Sequence, residues 1–180
     1  MASTIVASTL KITIEEDITL NGVQQGGVNT LSIDNVNEIY KRIVTCPAST
    51  NTTIATFKSS VNVSGSMVGQ TALRASSLDM EDVKYIRVTN LDDSSSVNLS
   101  LRSDTGEDDT AGDESATLLL EAGKSFMMGS PNDGIAIEDA AAQSGSVITA
   151  LADLESIIVN TSLTGVTSRA TDIEIFVASV

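Results

Sequence analysis

The chain has 180 residues, 41% of them hydrophobic but only 3% aromatic, with 24 acidic residues against 10 Lys and Arg and no His, a formal net charge of −14. That balance repels DNA, RNA and anionic lipid, because their binding rests on cations that displace counterions from phosphates. Without His there is no Ser-His-Asp or Cys-His triad and no imidazole metal ligand, and the single Cys46 forms neither an internal disulfide nor a thiolate metal site.

One core is the expectation for this length, since a domain of this size removes roughly 70% of its unfolded surface from water. The opening residues Met1, Ala2, Ser3, Thr4, Ile5 and Val6 form neither a basic leader nor an apolar run, and no stretch is apolar for the length that spans a bilayer. A soluble protein of a reducing compartment is therefore expected. Residues 1–8, small and polar, read as an N-terminal arm, and residues 9–180 as one β-sandwich domain.

From Leu10 to Ile14 apolar and polar residues alternate, and Ile18 and Leu20 continue the pattern, so a strand with one buried and one wet face is predicted. Asn21-Gly22 and Gly26-Gly27 tolerate positive φ and place a chain reversal between Leu20 and Leu31. From Glu38 to Cys46, Ile39, Lys41, Ile43 and Thr45 share one side while Tyr40, Arg42, Val44 and Cys46 share the other. Apolar residues on both sides predict an inner strand or one covered by a neighbour, ended by Pro47. Cys46 reads as a small buried residue, since no base is present to activate it.

Thr52 to Lys58 is a further strand. The hexapeptide from Ser59 to Ser64 nearly recurs from Ser95 to Ser100, but the flanks differ and alternating Ser and Val suits any half-exposed strand. Gly65 to Asp82 reads as a loop or short strand. Val83 to Asn90 and Val97 to Ser103, separated by turn-forming residues around Asp92-Asp93-Ser94, read as a hairpin, and the run ending at Leu120 turns through Glu121-Ala122-Gly123-Lys124 into another strand. Those runs together predict an antiparallel meander. Asn132 to Ile137 carries a turn and a short strand, Asp139 to Gln143 fits one helical turn, and Val147 to Leu154 fits a short helix as well as a strand. Leu154 to Asn160 and Asp172 to Ala178 are predicted strands, the last one paired. Eight to ten short strands without a long amphipathic helix give an all-β fold, an antiparallel β-sandwich or jelly roll.

Six carboxylates crowd the segment from Asp104 to Glu114, and Asp104, Glu107, Asp108 and Asp109 are the metal candidates, with Ca²⁺ the cation such oxygens suit. The spacing does not match the twelve-residue calcium loop, so a solvated loop is expected, with no cofactor. Asp92-Asp93 carries the same two readings, a turn or a cation site. Gly123-Lys124-Ser125 imitates the end of a phosphate-binding loop, but position 118 is Leu where that motif needs Gly. No catalytic residue is assigned.

Three stretches, Val83 to Asp92, Leu120 to Phe126 and Thr171 to Ser179, resemble segments of small virion structural proteins of tailed bacteriophages, marine and cyanobacterial phages among them. The likeness covers roughly residues 80 to 180. It implies a non-enzymatic virion component assembled in the host cytoplasm, either a decoration or cement protein on the major capsid protein or a tail, collar or fibre subunit, and a homo-oligomer on the particle. A carbohydrate- or host-surface-binding module is the alternative from another class, resting on Tyr40 or Tyr85. No nucleic-acid or membrane partner is expected. Partner contact is assigned to the N-terminal segment from Met1 to Val6, since an unsupported extended segment adds a strand to a neighbour.

Overall fold

The computed structural model describes residues 6–58, 78–79, 82–103, 115–130, 132, 134–138, 151–162 and 168–180. Among these the regular structure is all strand. In chain order it comprises β1 (Ser8–Glu15), β2 (Thr19–Leu20), β3 (Val23–Gln24), β4 (Val28–Val36), β5 (Glu38–Cys46), β6 (Asn51–Lys58) and β7 (Leu78–Asp79). It continues with β8 (Val83–Asn90), β9 (Val97–Ser103), β10 (Ser115–Leu120), β11 (Ser125–Gly129), β12 (Ala136–Glu138), β13 (Leu151–Asn160) and β14 (Thr171–Ser179). No described helix is long and apolar enough to cross a membrane.

Two sheets pack face to face as a β-sandwich. The first has the order β11-β8-β14-β5, and the second β10-β9-β13-β6-β7 with β12 also paired to β13. Every pairing is antiparallel except β6 with β7. Period-two side-chain alternation drives Val97, Leu99 and Leu101 of β9 and Ile173, Ile175 and Val177 of β14 into the space between the sheets. There they meet Ile86, Val88, Ile157, Val159 and Phe57. Burial of each such side chain contributes about 1.5–3 kcal/mol, so the aliphatic core supplies the main driving force despite the scarcity of aromatics. Cys46 is fully buried in this core, and burial pushes its thiol up while a hydrogen bond with the Thr52 side chain pulls the other way.

The predicted meander is not what forms. β8 lies in the first sheet, paired with β11 and β14, whereas β9 lies in the second, paired with β10 and β13. The connection between them is an arch over the end of the sandwich, and the turn at Gly123 (φ +68°) carries the chain back from β10 to β11. Asn90 is the reason the arch closes. Fully buried, it donates through Nδ2 to the carbonyls of Ser95 (2.7 Å) and Leu120 (3.3 Å), and its Oδ1 accepts from the Asp92 amide (3.1 Å). Asp92 in turn accepts from the amides of Ser94 (2.9 Å) and Ser95 (2.7 Å), which hold its carboxyl below the usual carboxylate range. The Asp-rich run is thus a local capping device. A hairpin and an arch use the same polar residues, and long-range pairing decides between them.

Two other expectations change. Leu151–Leu154 belongs to β13, because pairing to β12 and then β9 outweighs the helical spacing of its apolar residues. β5 is an edge strand, paired only with β14 among the described residues, and Ile39 and Ile43 on its outward face stay exposed where the sequence asks for a cover.

Outside the sandwich, β1 and β4 pair from Ser8↔Val36 to Glu15↔Val28, and β2 and β3 continue the same hairpin to its tip. Asn21 (φ 52°) and Gly22 (φ 77°) form the turn, as their positive φ requires.

Candidate interaction surface

The outer face of the first sheet and the hairpin laid across it form the surface on which the exposed chemistry collects. Cross-strand register sets that face in rows: Ile39, Ala178 and Tyr85, then Lys41, Phe176 and Arg87, then Ile43, Glu174 and Thr89. Glu174 sits between two cations, receiving a bond from the Arg87 guanidinium and lying 3.3 Å from Lys41 Nζ. Arg87 also lies over the Phe176 ring (5.8 Å to the centroid), and Phe176 meets Tyr85 edge-on at 6.0 Å.

Leu10, Ile12, Leu31, Ile33 and Val36 of the hairpin cover Tyr85, Phe176, Ala178 and Val180 as a second small apolar cluster. At one end the hairpin is tied to β14, where the Asn37 amide donates to the Ser179 carbonyl (3.1 Å). At the other it reaches β11, where Ile12, Ile14, Leu31, Tyr85, Met127 and Met128 line a groove of about 280 Å³. The hairpin therefore runs from the middle of the sheet toward its β11 edge. Beyond that, residues 15–28 are all exposed apart from half-buried Gly26.

This exposed end is nonetheless tightly built. The Glu16 amide donates to the Gly27 carbonyl (2.8 Å) and the Gln25 amide to the Ile18 carbonyl (2.9 Å). Thr19 Oγ1 donates to Gln24 Oε1 (2.9 Å), and Gln24 Nε2 donates to Asp17 Oδ1 (3.1 Å). A Cβ on Gly26 would stand 1.7 Å from the Glu16 carbonyl oxygen, so only glycine permits this closure. The Leu20↔Val23 pair and Ile18, two residues from Leu20, share one face of the tip. Ile18, Leu20 and Val23 are 54%, 59% and 57% exposed, and Val28 stands further down the hairpin at 68%. The predicted buried face at Ile18 and Leu20 is absent, because this part of the hairpin has no sheet beneath it. Ile39 and Ile43, on the outer side of β5, are 59% and 62% exposed.

Of the assigned contact segment, only Val6 lies among the described residues, and it is fully in solvent; Met1, Ala2, Ser3, Thr4 and Ile5 lie outside them. Asp104, Glu107, Asp108 and Asp109 also lie outside the described residues. Among those that are described, no group of three or more His, Cys, Asp or Glu is placed to hold a metal ion. A polar depression does bring Asp92, Asp93 and Asp172 to one end of the sandwich, beside Thr45, whose hydroxyl donates to Asp172 (2.6 Å). Tyr85 is buried, and the half-buried Tyr40 donates its hydroxyl to the Ile54 carbonyl (3.4 Å) with Arg42 over its ring. Both rings are thus taken up by internal packing.

The sequence reading missed Ile18, Leu20, Val23, Ile39 and Ile43 as surface residues. The signal for the last two was present, since a strand apolar on both sides needs a cover. The stretches Val83 to Asp92, Leu120 to Phe126 and Thr171 to Ser179 are neighbours in space: β8 pairs with β14, and the turn after Leu120 is held to β8 by the Asn90 amide, which donates to the Lys124 carbonyl (3.0 Å). Comparison with protein-family models, with curated proteins and with solved structures returned no match.

Proposed function

We propose that the chain is a non-enzymatic virion structural protein, a decoration or cement protein that sits on the outer shell of a tailed phage and binds neighbouring major-capsid subunits. The observation that carries this reading is the hydrogen-bonded hairpin end that exposes Ile18, Leu20, Val23 and Val28. Several exposed aliphatic side chains gathered at one projecting end mark a contact site for protein. The net charge of −14 supports a place outside the shell, away from packaged DNA. Tyr40 and Tyr85, the residues a sugar would stack on, are both engaged internally, which weighs against a glycan-binding module. Stained gels of purified virions test the proposal: a copy number near that of the major capsid protein is expected, and a few tens of copies or fewer would assign the chain to the tail or collar instead.

A further inference from the structure

We infer that the hairpin tip of one copy docks on the outer face of β5 of a second copy, head to tail. This inference stands on the geometry of the chain alone and holds wherever the protein works.

Both surfaces are aliphatic and uncovered: Ile18, Leu20 and Val23 on the tip, Ile39 and Ile43 on β5. Their charges are opposite. Glu15, Glu16 and Asp17 lead into the tip, whereas Lys41 stands between Ile39 and Ile43 on the outer side of β5, and with Arg87 it outnumbers Glu174 there. In a protein with this acid excess, like-charge repulsion disfavours most self-contacts, and an acidic tip meeting a basic strand is the pairing it permits. Glu174 also keeps a partner when Lys41 turns to an incoming carboxylate, because Arg87 holds it from the other side.

Position sets the symmetry. The hairpin reaches the β11 edge of the first sheet, and β5 is the opposite edge of the same sheet. One copy cannot satisfy its own tip, and two different patches meeting make a heterologous contact, which closes as a ring or continues as a chain. No described strand pairs the outer edge of β5, so its backbone groups are also open to a neighbour. The five aliphatic side chains involved make a contact smaller than the ~1,600 Å² of a standard interface, so a single contact is weak, with Kd on the order of 100 μM, and gains strength by closure.

Sedimentation velocity on the full chain tests the inference with two charge-reversed variants, Glu15→Lys/Glu16→Lys on the hairpin and Lys41→Glu on β5. The wild type is expected to associate reversibly as its concentration rises through about 100 μM. Each variant alone is expected to lose association at least tenfold, and an equimolar mixture to recover it, since the reversed tip of one then meets the reversed strand of the other. Leu20→Asp, at an exposed site, is expected to abolish association with an unchanged melting temperature, and serves if the β5 variant does not fold. A wild type that stays monomeric to about 1 mM, association that survives both reversals, or variants whose mixture stays monomeric would each overturn the inference. Loss of association on deleting residues 1–5, with both reversals harmless, would make that segment the occupant and overturn it as well.

Discussion

Asn90→Leu is expected to destabilise the fold by about 3–4 kcal/mol, because it removes a buried side chain that serves two carbonyls and one amide at the point where the chain crosses between sheets. The replacement is close in size, so the loss reflects unmade hydrogen bonds more than a cavity. Each orphaned group that stays dry costs about 1–3 kcal/mol, and water reaching the Ser95 end recovers part of it. For a chain of this length 1 kcal/mol moves the melting temperature by about 2–4 °C, so a fall of roughly 10 °C is expected. A change of under 3 °C in a thermal melt would mean that Asn90 does not organise the arch. Asn90→Asp is expected to fall between, keeping the acceptor for the Asp92 amide while losing the donor to Ser95 and Leu120.

Ile175→Ala is the second large effect. Ile175 is 0% exposed at the centre of β14, which pairs on both sides, so truncation removes transfer energy and leaves a cavity the surrounding strands cannot collapse into. A loss of about 3–4 kcal/mol in urea unfolding is expected. Ile43→Ala, in the next strand of the same sheet, is the matched control: Ile43 is 62% exposed, and its loss is expected to cost within about 0.5 kcal/mol. Similar costs at the two sites would contradict the placing of Ile175 on the buried inner face of this sheet and of Ile43 on the part of its outer face that the hairpin leaves uncovered.

That placement was half legible in the sequence. The strict alternation of Val97, Leu99 and Leu101 and of Ile173, Ile175 and Val177 needs nothing beyond period-two geometry, and those strands form where the pattern places them. Asn21-Gly22 likewise makes its turn from local sterics alone. Partner choice is not local. The residues between Asn90 and Val97 suit a hairpin and an arch equally, and the decision comes from Asp172 and Leu120, distant in sequence, whose backbone carbonyls accept from the Leu91 amide and the Asn90 side chain. Exposure is not local either. Ile18 and Leu20 have the alternation of a buried strand, but the hairpin carries them past the sheet that covers Leu10 and Ile12. The clearest unread signal was at β5, where Ile39 and Ile43 asked for a cover that no described strand provides.

These surfaces make assembly, rather than chemistry, the centre of the functional account. Hydrogen exchange on the protein within purified virions, set against the free chain at low concentration, tests it most directly. The account predicts slowed exchange in two segments, residues 13–28 and 38–46, with core amides such as those of β9 unchanged. Exchange in both segments as fast as in the free chain would contradict it.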